Sequence, residues 1–284
     1  MRPVGRRPRP VITILDGPVG TELTRRGVST RLPMWSAAAN RDAPDVVAAI
    51  HADYAAAGAT VHTANTFRTT ARAMGPDWAR WAREAVRIAR GAVPPGHRIA
   101  GSVAPLEDCY RPDLSPGGGA AVEREHRALA EVLADAGVDV LLCETFPHVE
   151  EALAAARAAR STGIETWLAL TAGYEADLLT PEALAEGARR AVDLGVDAVL
   201  VSCTPTEATL RYVEALASAG VPFGAYANGG IADDVDGFSS APASPERYAA
   251  QARAWADAGA TLLGGCCGTR PEHVEALWRA FARG

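Results

Sequence analysis

Eight short β-branched runs alternate with eight longer, alanine-rich amphipathic segments along this chain, and that alternation limits the folds open to it. The strand-like runs are 11–16, 59–65, 98–104, 138–144, 166–172, 196–203, 222–227 and 260–266. The helical segments between and after them are 44–57, 77–92, 120–136, 148–162, 180–194, 206–219, 244–258 and 271–282. Thr180-Pro181 and Ser244-Pro245 each set an N-cap before a proline at the first helical position. Gly58, Gly137, Gly195, Gly220 and Gly259 fall where a left-handed C-terminal cap belongs. A weak repeat of helix end, glycine and strand entry runs through Ala57–Val61, Ala136–Val140, Leu194–Ala198 and Ala258–Leu262. Eight strands that each lead into a helix predict an α/β fold, a single-domain (β/α)8 TIM barrel over residues 11–284. The basic, proline-rich residues 1–10 read as a flexible N-terminal tail.

In such a barrel the active site lies at the C-terminal ends of the strands. Asp16, Asn65, Glu144, Cys203, Asn228 and Cys266-Cys267 all fall there. The most informative of these segments is Leu263-Gly-Gly-Cys-Cys-Gly-Thr269. Neighbouring residues on a straight strand face opposite sides, so two adjacent cysteines share a target only if the backbone bends. Glycines at 264, 265 and 268 permit that bend. Cys203 ends a second apolar run, Ala198-Val-Leu-Val-Ser-Cys203. Three soft thiolates with a fourth position open describe a Zn2+ site that can take a substrate. The competing readings are small buried hydrophobes or a Cys266–Cys267 disulfide with thiol redox chemistry. Five cysteines, an odd number in a long chain, argue against a disulfide framework and for a reducing cytoplasm. Cys143 should face the core if Glu144 faces the mouth, and Cys109 reads as a bystander thiol in the loop after the third strand. A net charge of −6 gives no support for binding to nucleic acid or an anionic membrane. No apolar run approaches the roughly 18 residues of a membrane-spanning helix.

The GGCCGT run, with Cys203 upstream, resembles the homocysteine S-methyltransferase family. Leu15-Asp-Gly-Pro-Val-Gly-Thr-Glu22, Thr63-Ala-Asn-Thr-Phe67, Gly101-Ser-Val103, Glu144-Thr145 and Tyr226-Ala-Asn228 extend the resemblance across most of the chain. It implies zinc held by Cys203, Cys266 and Cys267, and methyl transfer to the thiol of homocysteine to give methionine. It further implies that Asp16 and Glu144 grip the substrate amine and that the Gly17 backbone N–H approaches its carboxylate. Asn65 and Thr66 either hydrogen-bond the substrate or brace the turn after strand two. Trp35, in Leu32-Pro-Met-Trp-Ser36, resembles the Leu-Trp-Ser of members that use S-methylmethionine, where an indole face can hold a sulfonium. That favours S-methylmethionine as donor, with betaine and S-adenosylmethionine open. One departure stands out: the family usually has Asn before the first zinc cysteine, and here the residue is Ser202. A different thiol acceptor, or a catalytically silent metal-binding barrel, are the alternatives. His62, the only histidine within a barrel strand, reads as a satisfied core residue, and the excursions 105–119 and 229–243 should line the mouth.

Overall fold

The structure, a computed structural model, describes residues 11–230 and 243–282. The expected tail at 1–10 and most of the 229–243 excursion lie outside the described residues. Strands β1 (Thr13–Ile14), β2 (Val61–Ala64), β3 (Arg98–Val103), β4 (Val140–Phe146), β5 (Glu165–Thr171), β6 (Ala198–Pro205), β7 (Phe223–Asn228) and β8 (Leu262–Gly265) form one parallel sheet. β1 pairs with β8, and a bridge between Leu15 and Val61 brings β1 back against β2. Thr60 N donates to Ile14 O at 2.9 Å and Asp16 N to Val61 O at 3.0 Å across that seam, so the sheet closes into a (β/α)8 barrel. β1, β2 and β8 are markedly shorter than their sequence runs, β1 most of all.

The eight expected helices are all present: Pro44–Ala56, Trp78–Ala92, Ala120–Asp135, Val149–Arg160, Pro181–Asp193, Thr206–Leu216, Pro245–Asp257 and Pro271–Phe281. Thr180 and Ser244 accept the expected capping bonds from Ala183 N and Arg247 N. The five predicted cap glycines all have left-handed φ, from 81° to 107°. Helix Val19–Arg25, which follows β1, has no counterpart in the sequence reading. Among the described residues no helix is long and apolar enough to cross a membrane.

Side-chain alternation sorts the strands into two layers. In β6, Ala198 and Leu200 point into the barrel, while Val199 and Val201 pack outward against the helices. Leu15, Val140, Leu142, Trp167, Leu200 and Leu262 fill the axis. Burying that apolar column, at about 25 cal/mol per Å2, holds the strand ends in fixed register beneath the site. Cys143 lies in the outer layer, as expected.

Candidate metal centre and substrate cavity

Strict alternation along β6 would send Cys203 outward with Val199 and Val201. Instead, the β6–β7 register shifts between Ser202 and Pro205, and Cys203 takes a left-handed φ of 49°. A non-glycine residue rarely adopts that region, and the irregularity turns its sulfur to the inner cluster. β4 repeats the device: its register shifts between Cys143 and Phe146, with Thr145 at φ 62°. Thr145 Oγ1 lies 3.4 Å from Cys203 Sγ.

The other two sulfurs arrive by a turn. β8 ends at Gly265, and Thr269 N donates to Cys266 O at 3.0 Å, with Gly268 at φ 77° in the third position. Gly264 and Gly265 have a different role from the one expected, since neither is left-handed. A Cβ on Gly264 would sit 2.7 Å from Leu15 Cβ, and one on Gly265 would sit 2.9 Å from Thr269 Cβ. They are small so that neighbours can close in.

The Sγ atoms of Cys203, Cys266 and Cys267 all lie within 4.8 Å of one another, and all three residues are buried. The Sγ atoms of Cys203 and Cys266 are in direct contact, with Cα atoms 5.5 Å apart, and the Cys267 Sγ lies 4.0 Å from that of Cys266. The disulfide weighed from sequence, Cys266 with Cys267, is not formed at that separation. Burial pushes the Cys267 thiol up to about 12, so it keeps its proton unless a cation is supplied. Three mutually close sulfurs, buried and soft, fit a thiophilic metal ion.

These sulfurs face a cavity of about 630 Å3. Two buried carboxylates line it, Asp16 and Glu144. Asp16 accepts from Thr63 N at 2.8 Å and from Thr63 Oγ1 at 3.2 Å. Glu144 accepts from the Ser102 hydroxyl and, at 3.1 Å, from Tyr226 Oη. Burial raises both carboxyls above their ordinary range, in Asp16 well above it, while these hydrogen bonds oppose the rise. Among the described residues no arginine pairs with either, so neither carboxylate serves a structural salt bridge. Two desolvated acids without a cation are costly, and a ligand ammonium would relieve both.

The remaining candidates divide. Gly17 lines the cavity, and its hydrogen faces Tyr54, whose ring would lie 2.7 Å from a Cβ there. Asn65 also lines it, but its amide donates to Ser36 O at 2.8 Å and Asn40 Oδ1 at 2.9 Å, tying β2 to the Trp35–Ala38 turn. Thr66 is fully buried and absent from the lining; its hydroxyl donates to Ser102 O and accepts from Ser102 N. Ser202 is likewise buried away from the cavity; its hydroxyl is close to Tyr226 but makes no hydrogen bond of normal geometry. Trp35 is a half-buried wall residue, edge-on to Phe67 with ring centroids 5.5 Å apart. His62 Nε2 meets His97 Nδ1 at 3.0 Å, and among the described residues its Nδ1 makes no hydrogen bond of normal geometry, though the Ala59 backbone is close to the ring. Of the 105–119 excursion, Leu106–Tyr110 and Leu114 line the cavity, Cys109 among them.

Ser102, Thr63 and Tyr226 were motif residues without a role in the sequence, and Tyr110 and Tyr174 carried no signal at all. The last two stack with centroids 3.6 Å apart in the cavity wall.

The profile of the family described as homocysteine S-methyltransferase matches residues 13–281. A Bacillus subtilis relative, homocysteine S-methyltransferase YbgG, is 31% identical over 96% of this chain and 95% of its own. An Escherichia coli homocysteine S-methyltransferase is 30% identical over 94% of both. The crystal structure of the homocysteine methyltransferase MmuM from Escherichia coli, metallated form, superposes with a TM-score of 0.78 at 28% identity, covering 96% of each chain. Agreement over nearly the whole length in sequence and in fold places this chain in the homocysteine S-methyltransferase family.

Proposed function

We propose that this chain transfers a methyl group from a small onium donor, S-methylmethionine in preference to betaine or S-adenosylmethionine, to the thiol of homocysteine, giving methionine. The observation that carries the reading is the facing pair of features in one cavity: three convergent cysteines and two buried carboxylates with no cation. Cys203, Cys266 and Cys267 would hold Zn2+, which when bound supplies a Lewis acid that keeps the acceptor thiol deprotonated at neutral pH. The relatives support this, since solved structures of MmuM include a metallated and an oxidised form. Metal binding needs all three cysteines as thiolates, which suits a reducing compartment such as the cytoplasm.

The chain's own residues then do the positioning. Asp16 and Glu144 accept hydrogen bonds from the acceptor ammonium, and Thr63, Ser102 and Tyr226 hold those carboxylates in place. The acceptor sulfur is thereby fixed on the cysteine side of the cavity, where proximity lowers the barrier to in-line displacement. Trp35 offers its ring to the donor's positive centre. The displacement neutralises an onium charge, so the largely apolar wall of Trp35, Phe67, Tyr110 and Tyr174 favours it over water. Asn65 and Thr66 brace the β2 end. Ser202, the reason to consider another acceptor, does not line the cavity, so its identity bears on packing beneath Tyr226.

The test is a panel of thiols and methyl donors incubated with the reduced, zinc-loaded protein and read by mass spectrometry. Methionine from homocysteine should dominate. Methylation of another thiol at higher efficiency would replace homocysteine as the acceptor, and zinc uptake without any methylated product would leave a silent metal-binding barrel.

A further inference from the structure

The charged groups lining the cavity do not balance. They are Asp16, Glu144, Glu107, Asp108, Arg68 and Arg72. Arg72 is saturated, pairing with Glu107 and, at 2.7 Å, with Glu125. Asp108 accepts from Tyr110 N at 2.8 Å. Arg68 differs from all of these. It is half-buried, and no carboxylate among the described residues pairs with it. Its one directed contact is with an aromatic ring: the guanidinium carbon lies 5.7 Å from the Phe67 centroid.

A guanidinium partly withdrawn from water with no anion beside it loses hydration without compensation, and it presents a planar fork of donors matched to a carboxylate. Its place in the cavity says whose carboxylate that is. The acceptor is anchored at two points, with its sulfur at the cysteines of β6 and β8 and its ammonium at Asp16 and Glu144. An α-amino acid carries its carboxylate on the same carbon as its ammonium, so the acceptor's carboxylate stays at those strand ends beside Gly17. Arg68 belongs to the segment after β2, on the wall formed by Phe67 and Trp35, whose rings meet edge-on at 5.5 Å. A ligand with its onium centre against Trp35 and an anionic group a few bonds away would span that wall and end at Arg68.

We propose that Arg68 forms the subsite that reads the methyl donor's carboxylate, making it a specificity-determining residue on the donor side of the cavity. This rests on the methyl-transfer reading and adds the residue that selects the donor. The donor is thus held at both ends, its onium centre by the Trp35 ring and its carboxylate by Arg68.

The experiment compares S-methylmethionine with its methyl ester as donors to homocysteine, in the reduced zinc-loaded wild type and in Arg68→Ala and Arg68→Lys. The wild type should prefer the free carboxylate by about tenfold or more in kcat/KM, the scale of one charge-assisted hydrogen bond. Arg68→Ala should lose that preference by falling with S-methylmethionine alone, with the ester rate and the homocysteine KM unchanged; Arg68→Lys should restore part of it. Equal losses with both donors, a raised homocysteine KM, or no preference in the wild type would overturn the subsite while leaving methyl transfer intact. Failure of the methyl-transfer reading would show differently, as no product from either donor. Calorimetric titration of S-methylmethionine into wild type and Arg68→Ala would then still report on Arg68, and equal affinities would overturn it.

Discussion

Replacing Glu144 by Gln should lower acceptor affinity while leaving the protein as stable as before, or more so. The substitution keeps shape and removes one charge. In the native protein Ser102 and Tyr226 both donate to Glu144, leaving its remaining lone pairs for the cavity. A Gln carboxamide accepts at only one atom, so one of those hydroxyls must reverse. An ammonium that loses a charge-assisted hydrogen bond loses about 1.5–3 kcal/mol, and since Asp16 remains, the lower end applies: about tenfold in Kd. Stability moves the other way. Burial raises the Glu144 carboxyl in the folded state, so its favourable contribution is complete below the unfolded pKa and is lost as pH rises through the folded one. At neutral pH the native residue is a liability that Gln removes. The assay is calorimetric titration of the reduced, zinc-loaded protein with homocysteine and with 4-mercaptobutyrate, which lacks the amine, alongside denaturant unfolding. Homocysteine should weaken about tenfold and mercaptobutyrate should hold or improve. Equal weakening of both, or a loss of stability with no selective loss of affinity, would refute the assignment of Glu144 to the amine.

Three further outcomes are expected. Trp35→Ala should weaken the donor about tenfold or more and spare homocysteine, with Trp35→Phe between, because a desolvated cation–π contact is worth up to ~2 kcal/mol; equal losses in steady-state titrations of both substrates would return Trp35 to packing on Phe67. Methionine, which has the ammonium but no thiol proton, should release protons on binding at acidic pH, because the raised Asp16 and Glu144 carboxyls must ionise to receive it; calorimetry in buffers of different ionisation enthalpy checks this, and a buffer-independent enthalpy at low pH would contradict it. Buried His51, whose two ring nitrogens have no partners, is pushed down to about 4 by burial, so its contribution is present above pH 6.5 and is lost as pH falls toward 4, to a limit of about 3 kcal/mol; His51→Leu should flatten unfolding free energy against pH across that window, and an unchanged slope would refute it.

The fold was largely legible because each unit carries its own local signals. Helices of eleven residues or more show a full apolar period, and Thr180, Ser244 and the left-handed glycines mark their ends. Val19–Arg25 escaped because seven residues barely complete two turns. The three convergent cysteines were legible as residue types but not as geometry. Alternation alone would face Cys203 outward, and only its left-handed φ and the shifted register turn it inward. Ser102, Thr63 and Tyr226 look like ordinary strand residues, and their convergence on two carboxylates depends on register between strands far apart in the chain. Thr66 shows the converse, since its hydroxyl is spent on the Ser102 backbone. Arg68 carries no signal until the partners of every other cavity charge are known.

The most direct test of the account measures zinc content and methionine formation together in the wild type and in Cys203→Ser, Cys266→Ser, Cys267→Ser and Cys143→Ser. Each protein is reduced, loaded with zinc, freed of excess metal, and given homocysteine with methyl-labelled S-methylmethionine. The account predicts one zinc per chain and labelled methionine in the wild type and in Cys143→Ser, whose sulfur packs in the outer layer, with both greatly lowered in the other three. Wild-type zinc content in Cys267→Ser, or undiminished methionine formation in any of the three metal-site variants, would contradict it.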